Sequence, residues 1–271
     1  MLTDSFGRAI YYLRVSVTDR CNYRCSYCMP PQGVELKRHD DMLRYEDISK
    51  IASEAGKLGF NKIRLTGGEP LVKKNIEDLV AMISYTGFFN DICMTTNGSL
   101  LTEEKAAALK KAGLHRINIS LDTLDALQFA EITGGGNISD VFAGIKAARS
   151  AAIGQVKLNM VISEKTKQSD IDNMRIYCSE MGVRLQLISR FSLKNRSDIT
   201  ATDIVTDRPP KCSLCNRIRI TADGYVKSCL FSDNEMKIDL DNIGDCLKAA
   251  VCEKPQNGIS CTTRYMSQIG G

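Results

Sequence analysis

Leu13-Arg14-Val15-Ser16-Val17-Thr18-Asp19-Arg20-Cys21-Asn22-Tyr23-Arg24-Cys25-Ser26-Tyr27-Cys28 begins as a β-prone run and ends in three cysteines spaced C-x3-C-x2-C. Three thiolates this close can each bind one iron of a [4Fe–4S] cube and leave the fourth iron without a protein ligand, open to chemistry. A structural zinc ion needs four ligands, and the nearest histidine, His39, lies well beyond Cys28. Cys21, Cys25 and Cys28 therefore read as iron–sulfur ligands placed just after a strand.

Working outward, strand-like runs fall at residues 11–17, 62–66, 91–95, 116–120, 156–162 and 183–188. Amphipathic helical stretches fall between them at 45–57, 75–85, 102–112, 139–151 and 169–181. This repeated order predicts an α/β fold, an incomplete (β/α)6 TIM-type barrel over residues 1–191. Gly67-Gly68-Glu69-Pro70 follows the second strand, Thr95-Thr96-Asn97-Gly98 ends the third, and Ser120-Leu121-Asp122 ends the fourth. With the cysteines after the first strand, every unusual motif lies at the C-terminal edge, where such folds build active sites. The polar stretch 192–211, closed by Pro209-Pro210, reads as a linker, and 212–271 as a small C-terminal iron–sulfur unit.

That unit carries Cys212-Ser213-Leu214-Cys215 and then Cys229. Asp223-Gly224, between β-prone residues 218–221 and 225–227, predicts a hairpin that folds Cys229 back beside the pair. Alone, this group suits a second iron–sulfur cluster or a zinc site completed by Cys246, Cys252 or Cys261 equally well. The isolated Cys93, Cys178, Cys246, Cys252 and Cys261 read as small hydrophobes. Eleven cysteines beside two histidines, with no export signal and no apolar run of membrane-spanning length, argue against disulfides and for a reducing cytoplasm. A net charge of +4 excludes a general nucleic-acid binder while leaving room for a small anionic ligand.

The C-x3-C-x2-C with Tyr27 before its last cysteine, together with Gly67-Gly68-Glu69-Pro70, resembles the radical S-adenosylmethionine (SAM) superfamily. In that family the open iron chelates SAM and passes it one electron, giving methionine and a 5′-deoxyadenosyl radical. Leu13 to Cys21, Ile63 to Pro70, Cys212-Ser213-Leu214-Cys215-Asn216-Arg217-Ile218-Arg219, Cys229-Leu230-Phe231 and Met266-Ser267-Gln268-Ile269-Gly270-Gly271 narrow the likeness. Together they resemble the MoaA family of GTP 3′,8-cyclases, lyases of molybdenum cofactor biosynthesis, nearly end to end. The resemblance implies two [4Fe–4S] clusters: Cys21, Cys25 and Cys28 for SAM, and Cys212, Cys215 and Cys229 for an auxiliary cluster that binds the guanine of GTP. Tyr27, Gly67, Gly68, Glu69 and Ser120 would contact SAM. Arg14, Arg64, Thr95, Lys157, Arg217 and Arg219 would hold GTP, with Arg14, Arg217, Arg219, Gly270 and Gly271 at the catalytic centre. Arginine forks suit a triphosphate, and Arg217 and Arg219 alternate onto one face of a strand.

The implied reaction begins with abstraction of the ribose 3′ hydrogen of GTP. The C3′ radical attacks C8, and reduction gives (8S)-3′,8-cyclo-7,8-dihydroguanosine 5′-triphosphate. Implied partners are GTP, a reductant such as flavodoxin or ferredoxin, a second copy of the chain, and the downstream cyclic pyranopterin monophosphate synthase, with no nucleic acid and no membrane. Two departures stand out. Residues 192–211 replace a region several tens of residues longer in the family, and an Arg and a Met of the family's sixth strand become Gln186 and Phe191. Competing functions are a paralogue acting on another nucleotide or a peptide, and a non-catalytic two-cluster electron carrier.

Overall fold

The computed structural model describes residues 1–30, 32–198, 204–209 and 211–270. A small antiparallel hairpin, β1 (Leu2–Thr3) and β2 (Ala9–Ile10), precedes the main sheet. The six expected strands follow as β3 (Tyr12–Ser16), β4 (Lys62–Thr66), β5 (Asp91–Thr96), β6 (Arg116–Ser120), β7 (Gln155–Ile162) and β8 (Arg184–Ser189). All pair in parallel with their sequence neighbours. The helices between them are α1 (Tyr45–Lys57), α2 (Ile76–Tyr85), α3 (Glu103–Lys111), α4 (Ala126–Thr133), α5 (Ile138–Ser150) and α6 (Gln168–Glu180). Local chemistry sets their ends. The Thr102 hydroxyl accepts from Lys105 N, Asp125 accepts from Gln128 N, and Asn137 accepts from Ser139 N, each satisfying an orphan donor of a first turn. Helix α1 buries Ile48, Ile51, Ala52 and Ala55, one helical face, against the sheet.

The C-terminal residues enter the same sheet. Strand β9 (Arg217–Ile220) pairs in parallel with β3, and the hairpin at Asp223-Gly224 returns β10 (Tyr225–Lys227) antiparallel, followed by β11 (Met236–Lys237). The sheet order β11-β10-β9-β3-β4-β5-β6-β7-β8 therefore contains seven parallel strands, one more than six βα units supply. The unit expected over 212–271 is thus continuous with the barrel sheet. The order leaves β8 and β11 as edges, so the barrel is incomplete. Helices α7 (Ile243–Cys252) and α8 (Met266–Ile269) complete the chain, and α7 packs on α1. Among the described residues no helix is long and apolar enough to cross a membrane.

Alternation along the strands divides the sheet's faces. Leu13, Val15, Ile63, Leu65, Ile117, Ile119, Ile218 and Ile220 are buried in one continuous apolar core with the helices. A satellite cluster of Leu193, Phe231, Cys261 and Ile269 lies under the C-terminal segment.

Arg8 clasps the N-terminal hairpin to that segment. Its Nε donates to Asp4 (2.6 Å), and its remaining nitrogens donate to the carbonyls of Cys212 (3.0 Å), Gln256 (3.0 Å) and Pro255 (2.7 Å). Asp4 is buried, so Arg8→Ala strands a carboxylate. The expected cost is about 3 kcal/mol in urea unfolding, because a buried pair broken on one side leaves an uncompensated charge.

Candidate active site

A cavity of about 320 Å³ occupies the barrel interior, and alternate residues of all seven parallel strands line it. They include Tyr12 and Arg14 of β3, Lys62 and Arg64 of β4, Asn118 and Ser120 of β6, Lys157 and Asn159 of β7, Gln186 and Ile188 of β8, and Arg217 and Arg219 of β9. Seven adjacent strands can face one cavity only if the sheet curls around it. The barrel interior, a packed core in closed TIM barrels, is here polar and open.

Cys21, Cys25 and Cys28 stand at the C-terminal end of this cavity with Gly67, Gly68, Glu69, Thr96 and Asn97. Burial pushes all three thiols up, and Asp122 and the mutual proximity of the sulfurs add to it at Cys25 and Cys28, Cys25 reaching about 12 in all. Such thiols ionise only beside a strong positive centre, which an iron–sulfur cluster supplies. Among the described residues no three His, Cys, Asp or Glu side chains are grouped to hold a single metal ion. Cluster thiolates bind separate irons, so they need not converge as the ligands of one ion do.

Gly68 has a use the sequence does not disclose. A Cβ there would run into the Arg20 carbonyl, because Gly68 N donates to Thr18 (2.8 Å) and Glu69 N to Arg20 (2.8 Å). The glycine lets the two strand-end loops touch, which fixes the cysteine loop over the cavity. Glu69, 1% exposed, is tied down: Oε1 accepts from Leu71 N (2.9 Å) and Thr96 Oγ1 (2.6 Å), and Oε2 accepts from Asn97 N (2.6 Å). Burial raises its pKa to about 7 against those donors. Tyr27 donates to Asp122 Oδ2 (2.7 Å), and Asp122 Oδ1 accepts from Val161 N (2.8 Å), so the last turn of the cysteine loop is anchored to β7.

The cations gather at the other end. Strand register sets Arg219, Arg14 and Arg64 side by side across β9, β3 and β4, with Arg217, Tyr12 and Lys62 in the row below. Thr95, Asn118 and Lys157 continue the wall across β5, β6 and β7. Tyr12 is their common partner: its hydroxyl accepts from Arg64 Nε (2.6 Å) and Arg14 (3.2 Å), and Lys62 and Arg217 lie over its ring. Burial alone would raise this phenol, but Arg14 and Arg64 bring it down to about 7. Burial draws Arg14 down to about 10, and burial with Arg14 and Arg217 draws Arg219 well below its ordinary value. Arg64 also donates to Thr95 Oγ1 (2.9 Å), and Arg219 to the Gly270 carbonyl (2.5 Å). Gly270 sits at φ +79° against the Thr66 side chain, where a Cβ would collide. Gly271 lies outside the described residues.

Cys212, Cys215 and Cys229 are half-buried and do not themselves line the cavity, whereas Arg217, two residues after Cys215, and Leu230, next to Cys229, do. Burial raises Cys229, whereas at Cys215 the Lys254 ammonium and the Arg217 N–H outweigh burial and lower the thiol. Arg196 donates to the Cys212 sulfur. Cys93, Cys178, Cys246 and Cys261 are buried, and Cys252 is exposed. Sequence reading therefore missed Tyr12 and Lys62. Both were legible as residues two before an arginine on one strand face, Lys62 before Arg64 and Tyr12 before Arg14.

The radical SAM superfamily model matches residues 15–175. GTP 3′,8-cyclases of Clostridium botulinum strain Langeland and of Petrotoga mobilis are 36% and 35% identical over 324 residues, covering all of this chain and all of each relative. The alignments are longer than the 271 residues of this chain, in keeping with a shortened member. Among solved structures, Streptococcus suis SuiB bound to S-adenosylmethionine has a TM-score of 0.68 at 15% identity, covering 89% of this chain and 68% of that one. For anSMEcpe with bound AdoMet the values are 0.64 and 15%, covering 91% and 81%; both show the fold alone. The chain belongs to the radical SAM superfamily and, within it, to the family of the GTP 3′,8-cyclases.

Proposed function

We propose that the chain is a GTP 3′,8-cyclase that forms (8S)-3′,8-cyclo-7,8-dihydroguanosine 5′-triphosphate for molybdenum cofactor biosynthesis. One observation carries this reading beyond family membership. Among the described residues, nine Lys and Arg side chains and a single carboxylate, Glu69, line a cavity whose far end holds three cysteines. Asp91, outside the lining, pairs with Lys62 and Arg116 and offsets part of this charge; the remaining concentration of cations is unfavourable until a polyanion enters, and a nucleoside triphosphate answers the need.

In this reading Cys21, Cys25 and Cys28 hold a [4Fe–4S] cluster with SAM near Tyr27, Gly67, Gly68, Glu69 and Ser120. Cys212, Cys215 and Cys229 hold a second cluster. When bound, cluster and SAM supply the 5′-deoxyadenosyl radical that takes the ribose 3′ hydrogen. The chain's own residues position the substrate: Arg14, Arg64, Lys157, Arg217 and Arg219 neutralise and orient phosphates, Thr95 steadies Arg64, and the Gly270 carbonyl orients Arg219. Electron balance requires a low-potential donor such as flavodoxin or ferredoxin, and the product passes to a cyclic pyranopterin monophosphate synthase.

Anaerobic reconstitution with iron and sulfide, then SAM, dithionite and GTP, tests the reading. Cyclised nucleotide should appear with 5′-deoxyadenosine; deoxyadenosine indifferent to GTP with no cyclised product would overturn it. Cys25→Ala should abolish SAM cleavage, while Cys215→Ala should keep cleavage and lose cyclisation.

Tyr12 adds a pH signature. Its folded pKa is depressed from 10 to about 7, so its contribution to the stability of the nucleotide-free chain is complete above 10 and lost as pH falls through 7. A bound triphosphate offsets the cations that favour phenolate, so binding above pH 7 takes up a proton. GTP affinity should therefore decline from about pH 7 upward, by at most about tenfold per pH unit. In Tyr12→Phe the decline should flatten, as read by equilibrium titration.

A further inference from the structure

Arg208 lies in the connection between β8 and β9, within the stretch that reads as a linker. Its backbone is paired. Asp207 N donates to the Leu187 carbonyl (3.0 Å), Ser189 N donates to the Arg208 carbonyl (2.9 Å), and Ile188 and Arg208 form a parallel bridge. The Ser189 and Thr206 hydroxyls share a 2.6 Å hydrogen bond, and the Asp207 carboxylate accepts from Leu187 N (3.3 Å). The residues around Arg208 thus extend the barrel beyond β8 on the edge away from β9.

That pairing sets the half-buried Arg208 in the cavity wall with Gln186 and Ile188. Burial and the Arg217 and Arg64 charges together lower its pKa, against the opposing pull of Tyr12 and Asp207, and its own charge is felt by Lys157. Arg217, Arg64 and Lys157 are residues of the cation end, away from the cysteines. Among the described residues its guanidinium makes no hydrogen bond or ion pair, whereas the neighbouring Asp207 carboxylate is engaged with the β8 backbone. A partly desolvated fork of donors, left unused beside other cations, is costly unless an anion meets it.

We propose that Arg208 is a phosphate ligand of the substrate, closing the ring of cations from the β8 side and favouring a nucleoside triphosphate over the uncharged nucleoside. This rests on the nucleotide reading above. The β9 and β3 arginines approach the polyphosphate from one side; Arg208 approaches from the other edge of the curled sheet.

The test is equilibrium binding of GTP, guanosine and SAM to the full cluster-loaded chain and to its Arg208→Ala and Arg208→Lys variants. Arg208→Ala should weaken GTP by about tenfold to a hundredfold, the size of a charge-assisted contact, and leave guanosine and SAM within about twofold. Arg208→Lys should recover part of the loss, and added salt should narrow the difference. The pairing with β8 uses backbone atoms, so both variants should keep the wild-type circular dichroism. Unchanged GTP affinity, equal weakening of GTP and guanosine, or a loss confined to SAM would each overturn the assignment. Failure of the wild-type chain to bind GTP would instead remove the nucleotide reading itself, and the Arg208 assignment with it.

Discussion

Three arginines on three neighbouring strands, Arg219, Arg14 and Arg64, are held in one row by the parallel pairing of β3 with β9 and β4. Neighbouring strands stand about 4.8 Å apart, so at an effective dielectric of about 20 each adjacent pair repels by up to about 3 kcal/mol. The opposite face answers this. Leu13, Val15, Ile63, Leu65, Ile218 and Ile220 are buried beneath the helices, and each contributes about 1.5–3 kcal/mol. Apolar burial on one side of the sheet therefore holds cations together on the other, with the Tyr12 hydroxyl between Arg14 and Arg64 as a local relief.

The cavity's two ends are built by different means. At the cysteine end, backbone does the positioning: strand-end loops touch at Gly68, and Glu69 ties the loop after β4 to the end of β5 through two hydrogen bonds, accepted from Thr96 and Asn97. At the cation end, side chains on regular strands do it, and rigid elements hold charges more precisely than loops do. On the proposed reading the division suits the reaction: one end would cradle a cofactor of fixed shape, and the other would grip a flexible polyphosphate.

Much of this was legible in the sequence. The six strands and five of the helices follow from alternation, caps and glycine stops, and the cysteine spacings mark both triads. What escaped has physical reasons. Tyr12 escapes because a strand aromatic passes for core; alternation puts it on the face of Arg14, and only the register with Arg217 and Lys62 shows that it stands among several cations. Strand β9 reads as part of a separate unit because parallel pairing with β3 spans some two hundred residues, and nothing local records it. Arg8 and Arg208 escape for the same reason: their partners are backbone carbonyls, cavity walls and strands far away in sequence. The resemblance implies that Gly67 and Gly68 contact SAM; that the missing Cβ of Gly68 also admits the chain's own Arg20 carbonyl is a long-range contact the sequence does not disclose.

The pairing of β9 with β3 bears on how such a chain can change length over evolutionary time. Deleting one residue from β3 or β9 would turn every following cation onto the apolar face, because side chains alternate with a period of two. Tens of residues lost from the connection between β8 and β9 leave that register intact, since the strand docks by its own pairing and not by the reach of what precedes it. A change of length confined to that connection would therefore leave the row of cations as it is.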